Sequence, residues 1–111
     1  MAAYVIANLQ VRNTAWRTDY GERTLALIHK HGGKVLVPFG SRVEVLEPSG
    51  KHPGGSPTAI VLLEFPTAQA AEAWYQDPEY QPLIALRKQG ADGDLYLVEA
   101  TASPPVDRGQ G

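Results

Sequence analysis

Cysteine is absent from the sequence, and with it go disulfides, thiolate nucleophiles and zinc sites of the cysteine type. An excess of either charge is lacking too: 10 Lys and Arg stand against 12 Asp and Glu, a formal net charge of -2, with both signs interspersed. No basic stripe is present to neutralise phosphates, so nucleic acid is not an expected partner. Long apolar runs are missing. Those present, such as Ala59 to Leu63, fall far short of the roughly 20 residues a membrane helix requires. Met1-Ala2-Ala3-Tyr4 shows neither the basic stretch nor the apolar core of a secretory signal. A cytoplasmic protein with no membrane partner is the expectation.

What is present describes a globular chain. Hydrophobic residues at 43% and charged residues at 20% lie far from the profile of a disordered protein. A length of 111 residues suffices for one hydrophobic core and not for two. The expected organisation is a single domain over residues 1–102. Residues 103–111 hold two prolines, two glycines and no core-forming cluster, and are expected to be a disordered tail.

Tyr4 to Val11 reads as a strand, with Val5, Ala7, Leu9 and Val11 on one face and Tyr4, Ile6, Asn8 and Gln10 on the other. Asn13 offers an N-cap to a following helix, in which Trp16, Tyr20, Thr24, Leu27, Ile28 and His31 form one stripe. Gly32-Gly33 ends that helix. A second strand runs from Lys34 to Pro38, is interrupted by Phe39-Gly40-Ser41 and resumes over Arg42 to Leu46. Pro38 has no N–H to donate, which places this strand at a sheet edge or at a bulge. Pro48 to Pro57 is a loop. Thr58 to Phe65 is a strand apolar on both faces except at Glu64, so both faces call for cover. Pro66-Thr67 opens a second helix with Ala71, Trp74 and Tyr75 inward. Asp77-Pro78-Glu79 is a fresh helix start, irregular near Pro82 and continued by Leu83, Ile84 and Leu86 to Gly90. Leu95 to Ala100 is the last strand.

The order β-α-β-β-α-β, closed by right-handed crossovers, gives an α+β ferredoxin-like sandwich. Its sheet has four antiparallel strands in spatial order 4-1-3-2, with the helices on one face. The other face carries apolar side chains and has no cover within the chain. A second copy is the simplest lid, and a two-fold homodimer through the sheet face the simplest closure.

Tyr4-Val5-Ile6-Ala7, His31-Gly32-Gly33, Val45-Leu46-Glu47, Glu64-Phe65-Pro66, Ala73-Trp74-Tyr75 and Pro78-Glu79-Tyr80 occur in an order and spacing that resembles the DUF1330 family, over about residues 3 to 100. The resemblance implies a dimeric α+β barrel, in which two ferredoxin-like sheets pack face to face. It implies no activity, because relatives in that superfamily include cofactor-free monooxygenases, isomerases, haem-handling enzymes and ligand-sensing domains. Where relatives commonly carry an arginine and glycines after the second strand, this chain reads Pro38-Phe39-Gly40-Ser41-Arg42.

Several residues carry candidate chemistry. His31, at a helix C-terminus, is placed for general acid/base work or anion binding; the alternative is a helix-end histidine bonded to backbone carbonyls. Glu64, directed beneath the helices, needs a partner, and Arg87 is the nearest candidate, as a buried bridge or within a ligand pocket. Trp16, Tyr20, Trp74, Tyr75 and Tyr80 make an aromatic layer that is either core or the wall of a cavity. The candidate catalytic pair is thus His31 and Glu64, and the candidate ligand-binding set is Tyr20, Trp74, Tyr80 and Arg87. No metal site is expected: His29 and His31 diverge by roughly 200° on a helix, and His52 lies in a loop. No cofactor is expected either, since neither a phosphate loop nor a dinucleotide fingerprint is recognisable. The favoured function is binding of a small, partly apolar molecule between helices and sheet. The alternatives are a cofactor-free monooxygenase- or isomerase-like enzyme using the His/Glu pair, and an accessory module without a pocket.

Overall fold

A computed structural model describes residues 1–47 and 59–101. Among these the elements run β1 (Ala3–Val11), α1 (Arg17–Lys30), β2 (Lys34–Val37), β3 (Ala59–Phe65), α2 (Ala68–Gln76), α3 (Gln81–Lys88) and β4 (Ala91–Glu99). The strands form one sheet ordered β2-β3-β1-β4, every neighbouring pair antiparallel. Read from the other edge this is the expected 4-1-3-2 order, and the fold is the expected ferredoxin-like α+β sandwich. The expected loop from Pro48 to Pro57, Thr58, and the expected tail over residues 103–111 lie outside the described residues.

The side-chain period of a strand decides which face is core. Ala3, Val5, Ala7 and Leu9 of β1 are buried, while Tyr4 and Ile6 between them are half-covered and Asn8 and Gln10 are exposed. Val5, Leu63 and Phe65 of the sheet pack with Leu27, Ile28, Ala71, Trp74, Leu83 and Ile84 of the helices. Trp74, Tyr80 and Phe65 are the largest fully buried side chains, and burying a side chain of this kind stabilises the fold by about 1.5–3 kcal/mol.

Local signals set most element ends. Gly32 adopts φ +80; its N–H bonds His29 O at 3.0 Å and the Gly33 N–H bonds Ile28 O at 2.8 Å, the paired closure of a Schellman motif. Thr67 caps α2 by accepting from the Ala70 N–H at 3.0 Å. β2 is an edge strand, and its register slips between Val35 and Val37.

Three local expectations are corrected. Residues 42–46 do not resume β2. Pro38 O accepts from both the N–H and the hydroxyl of Ser41, at 3.2 and 2.7 Å, and Gly40 takes φ +96. That turn leads the chain away from the ladder. Asn13 does not cap α1, whose N-cap position is Trp16. Instead its side chain accepts from the Ala15 N–H and its carbonyl from the Trp16 indole, a local competition typical of Asn. Asp77 and Pro78 precede α3 rather than open it. Asp77 Oδ1 accepts from the Glu79 N–H at 2.9 Å and Asp77 O from the Tyr80 N–H at 2.8 Å, so the acid holds the turn between α2 and α3.

Candidate ligand pocket

A cavity of about 280 Å³ lies between the helices and the sheet, near the lower end of the roughly 300–1,000 Å³ usual for small-molecule sites. Its floor is apolar: Val5, Ala7 and Leu9 of β1, Val61 and Leu63 of β3, and Leu95 of β4. α1 and its N-cap residue give one wall through Trp16, Tyr20, Thr24 and Ile28, residues spaced by four on one helical face. The other wall comes from Trp74 of α2, Tyr80 of the following turn and Arg87 of α3. Pro38 and Phe39 stand at the edge with Arg17.

The aromatic rings are in mutual contact. Trp16 meets Tyr20 and Phe39 edge-on at 5.3 and 5.6 Å between centroids. Trp74 lies against Tyr80 at 4.5 Å and against Phe65 at 5.5 Å. The Tyr20 and Tyr80 hydroxyls hydrogen-bond each other at 2.5 Å. Burial, reinforced by the neighbouring Tyr20, pushes the Tyr80 phenol far above its usual value, so it stays a neutral hydroxyl at every ordinary pH.

Polar satisfaction fails at this cavity. Thr24 Oγ1, Trp74 Nε1 and Arg87 Nε are buried without a hydrogen-bond partner among the described residues, and all three side chains line it. Native interiors rarely leave such groups unpaired. Arg87 is the extreme case. It follows Leu83 and Ile84 on the buried stripe of α3, at 5% exposure. Among the described residues no carboxylate forms an ion pair with it. Its Cζ lies 6.0 Å from the centre of the Tyr20 ring.

The structure brings Tyr20, Trp74, Tyr80 and Arg87 to this one cavity. It leaves His31 and Glu64 out. Glu64 alternates with the buried Leu63 and Phe65, so it faces the opposite side of the sheet, where Lys34 pairs with it at 3.2 Å. The expected placement of Glu64 beneath the helices beside Arg87 is therefore corrected, and so is a His31–Glu64 pair. His31 has a carboxylate partner, but it is Asp77, 2.8 Å from Nε2. The same Asp77 oxygen accepts from Lys30 Nζ at 2.9 Å. His31, then the Glu79 backbone N–H and Lys30, hold the Asp77 carboxyl well below the usual carboxylate range. This cluster ties the end of α1 to the α2–α3 turn.

Two contributors escaped the sequence reading. Arg17 falls outside the helical stripe, yet its guanidinium sits 4.1 Å from the centre of the Phe39 ring. Phe39 itself was hidden in a strand interruption, although an aromatic within a Pro-Phe-Gly turn signals a packed turn. Arg42 does not reach the cavity: its side chain is 83% exposed and pairs with Glu44. A second, more polar recess of about 370 Å³ lies between α2, α3 and β4, bordered by Glu72, Tyr75, Lys88 and Asp94, and shares Trp74 and Arg87. Among the described residues no group of His, Asp and Glu is placed to hold a metal ion, and no helix is long and apolar enough to cross a membrane.

The model of the DUF1330 family, a domain of unknown function, matches residues 2–101. No curated protein matches the chain. Among solved structures, RPA0582 from Rhodopseudomonas palustris, a protein of unknown function, is similar with a TM-score of 0.69 at 18% identity, over 92% of this chain and 84% of that one. SnoaB, a cofactor-independent oxygenase from Streptomyces nogalater, is similar with a TM-score of 0.60 at 15% identity, over 95% of this chain and 98% of that one.

Proposed function

This chain belongs to the DUF1330 family, and we propose that it binds a small, partly apolar molecule in the cavity between its helices and its sheet. The observation that carries the reading is the coincidence of cavity and unsatisfied polarity. Three side chains that each carry a buried polar atom without a partner among the described residues line one apolar, aromatic-walled space. An unpaired buried polar group costs about 1–3 kcal/mol, and a bound molecule that meets those groups offsets the cost. A collapsed core would have no use for an arginine at a leucine position.

A second reading, a cofactor-free oxygenase acting in the same cavity, is favoured by the likeness to SnoaB. It shares the pocket and adds turnover. Likeness of fold supplies no reaction, so binding comes first in the order of tests.

The site also sits in a homodimer under this proposal. Tyr4, Ile6, Ile60, Leu62, Tyr96 and Val98 share the sheet face turned away from the helices, by strand alternation and register. None of them is buried, and Tyr96 is 51% exposed. A contiguous apolar patch of this kind favours a second copy over water.

Gly21 provides the test. It lies within α1, borders the cavity, and a Cβ placed there meets nothing within 4 Å. Gly21→Leu therefore puts a side chain into open space at the cavity while replacing a poor helix former by a good one, worth up to about 1 kcal/mol. Fragment binding measured by NMR on the wild type should disappear in Gly21→Leu while the melting temperature holds or rises. Undiminished binding to a folded Gly21→Leu protein would place the site elsewhere.

A further inference from the structure

We infer that the occupant of this cavity is an organic acid, with an anionic oxygen set against Arg87 and an apolar or aromatic body lying over the sheet floor. The inference rests on the small-molecule reading and adds the charge class of the ligand.

The charge inventory of the lining is one-sided. Among the described residues Arg17 and Arg87 border the cavity, and no Asp or Glu does. Glu64, the acid expected to balance Arg87, is occupied by Lys34 on the far side of the sheet. Asp77 is occupied by His31 and Lys30. Glu72 and Asp94 border the neighbouring recess, and neither forms an ion pair with Arg87. A guanidinium cannot escape by deprotonation in a protein. A cation buried to this degree calls for a counter-charge, and the described chain supplies none.

Donor chemistry points the same way. Arg87 and the Trp74 indole only donate hydrogen bonds, and each has a buried N–H without an acceptor. The Tyr20–Tyr80 pair spends one hydroxyl hydrogen internally and keeps the other for an outside acceptor. A neutral apolar ligand would leave all of these donors unmet. A carboxylate offers two oxygens and about four acceptor sites, which matches this supply. The aromatic contact between Trp16, Tyr20 and Phe39 suits a flat body on the remaining side.

The Trp74 indole N–H reports binding directly, with an internal control, because the Trp16 indole is already bonded to Asn13 O at 2.7 Å. The experiment compares one- and two-ring aryl carboxylates, benzoate and 1-naphthoate, with their neutral amides, on wild type, Arg87→Met and Arg87→Lys. In the wild type a carboxylate should bind about tenfold or more tightly than its amide. It should also move the Trp74 indole proton downfield well beyond that of Trp16. Arg87→Met should erase the preference and Arg87→Lys should keep part of it. If Arg87→Met does not fold, the wild-type comparison and Arg87→Lys still decide. Amides binding as well as carboxylates would overturn the anionic assignment while leaving the pocket intact. No shift at cavity residues with any of the four compounds would overturn the pocket reading and this inference with it.

Discussion

The hydroxyls of Tyr20 and Tyr80, 60 positions apart in the chain, meet at 2.5 Å. One ring comes from α1 and the other from the turn that opens α3, so the contact joins the two walls of the cavity. Tyr80 is fully buried, and Tyr20 is partly covered.

Removing either hydroxyl breaks the same bond. Tyr20→Phe and Tyr80→Phe should each cost about 1 kcal/mol in urea denaturation. The double variant should cost less than the sum of the two, as partners in one interaction do. Additive losses would mean that each hydroxyl has its own separate partner.

Arg87 is expected to be a stability cost retained for binding. Replacing a buried, unpaired cation by an apolar side chain of similar length removes a desolvation penalty. Arg87→Met should therefore raise stability by about 1 kcal/mol, within the usual range for stabilising substitutions. A loss of stability would show that the guanidinium is structurally paired.

His31 and Asp77 give a pH signature. The Asp77 carboxyl is held below its usual range, chiefly by His31. A depressed folded-state pKa contributes stability above the unfolded value of about 3.9, and that contribution is lost as pH falls below it toward the folded value. Asp77→Asn should lower the melting temperature at neutral pH, and the gap from wild type should narrow below about pH 4. A gap independent of pH would contradict the assignment. His31→Ala should likewise lower stability yet leave ligand affinity unchanged, because His31 touches Asp77 and does not line the cavity.

Much of the fold was legible because it rests on local periods. The alternation in β1, the Gly32-Gly33 stop and the Thr67 cap each act within a few residues, and together they dictate the element order. That Tyr20, Trp74, Tyr80 and Arg87 line one cavity was legible as well: Tyr20 lies on the inward stripe of α1, and the other three come from the segment that covers the same sheet face. Glu64 was misplaced because a strand apolar on both faces gives no sign of which parity is core. Only pairing with β1, whose Ala3, Val5, Ala7 and Leu9 are buried, settles it. Asp77 was read as a cap, and its ion pairs with residues 46 and 47 positions away have no signature in the sequence.

The sheet face offers a further check. Tyr96 stands on the open face in register with Ile6. Tyr96→Asp should shift sedimentation equilibrium at micromolar protein from dimer toward monomer. A wild type that is already monomeric at that concentration would refute the dimer.

The central claim, that the space beneath the helices is a binding site, is tested most directly by intermolecular NOEs from a bound aryl carboxylate. The account predicts NOEs to the rings of Tyr20 and Trp74 and to Leu63 on the cavity floor. NOEs confined to Tyr75 and Tyr96, or to Ile6 on the open sheet face, would contradict it.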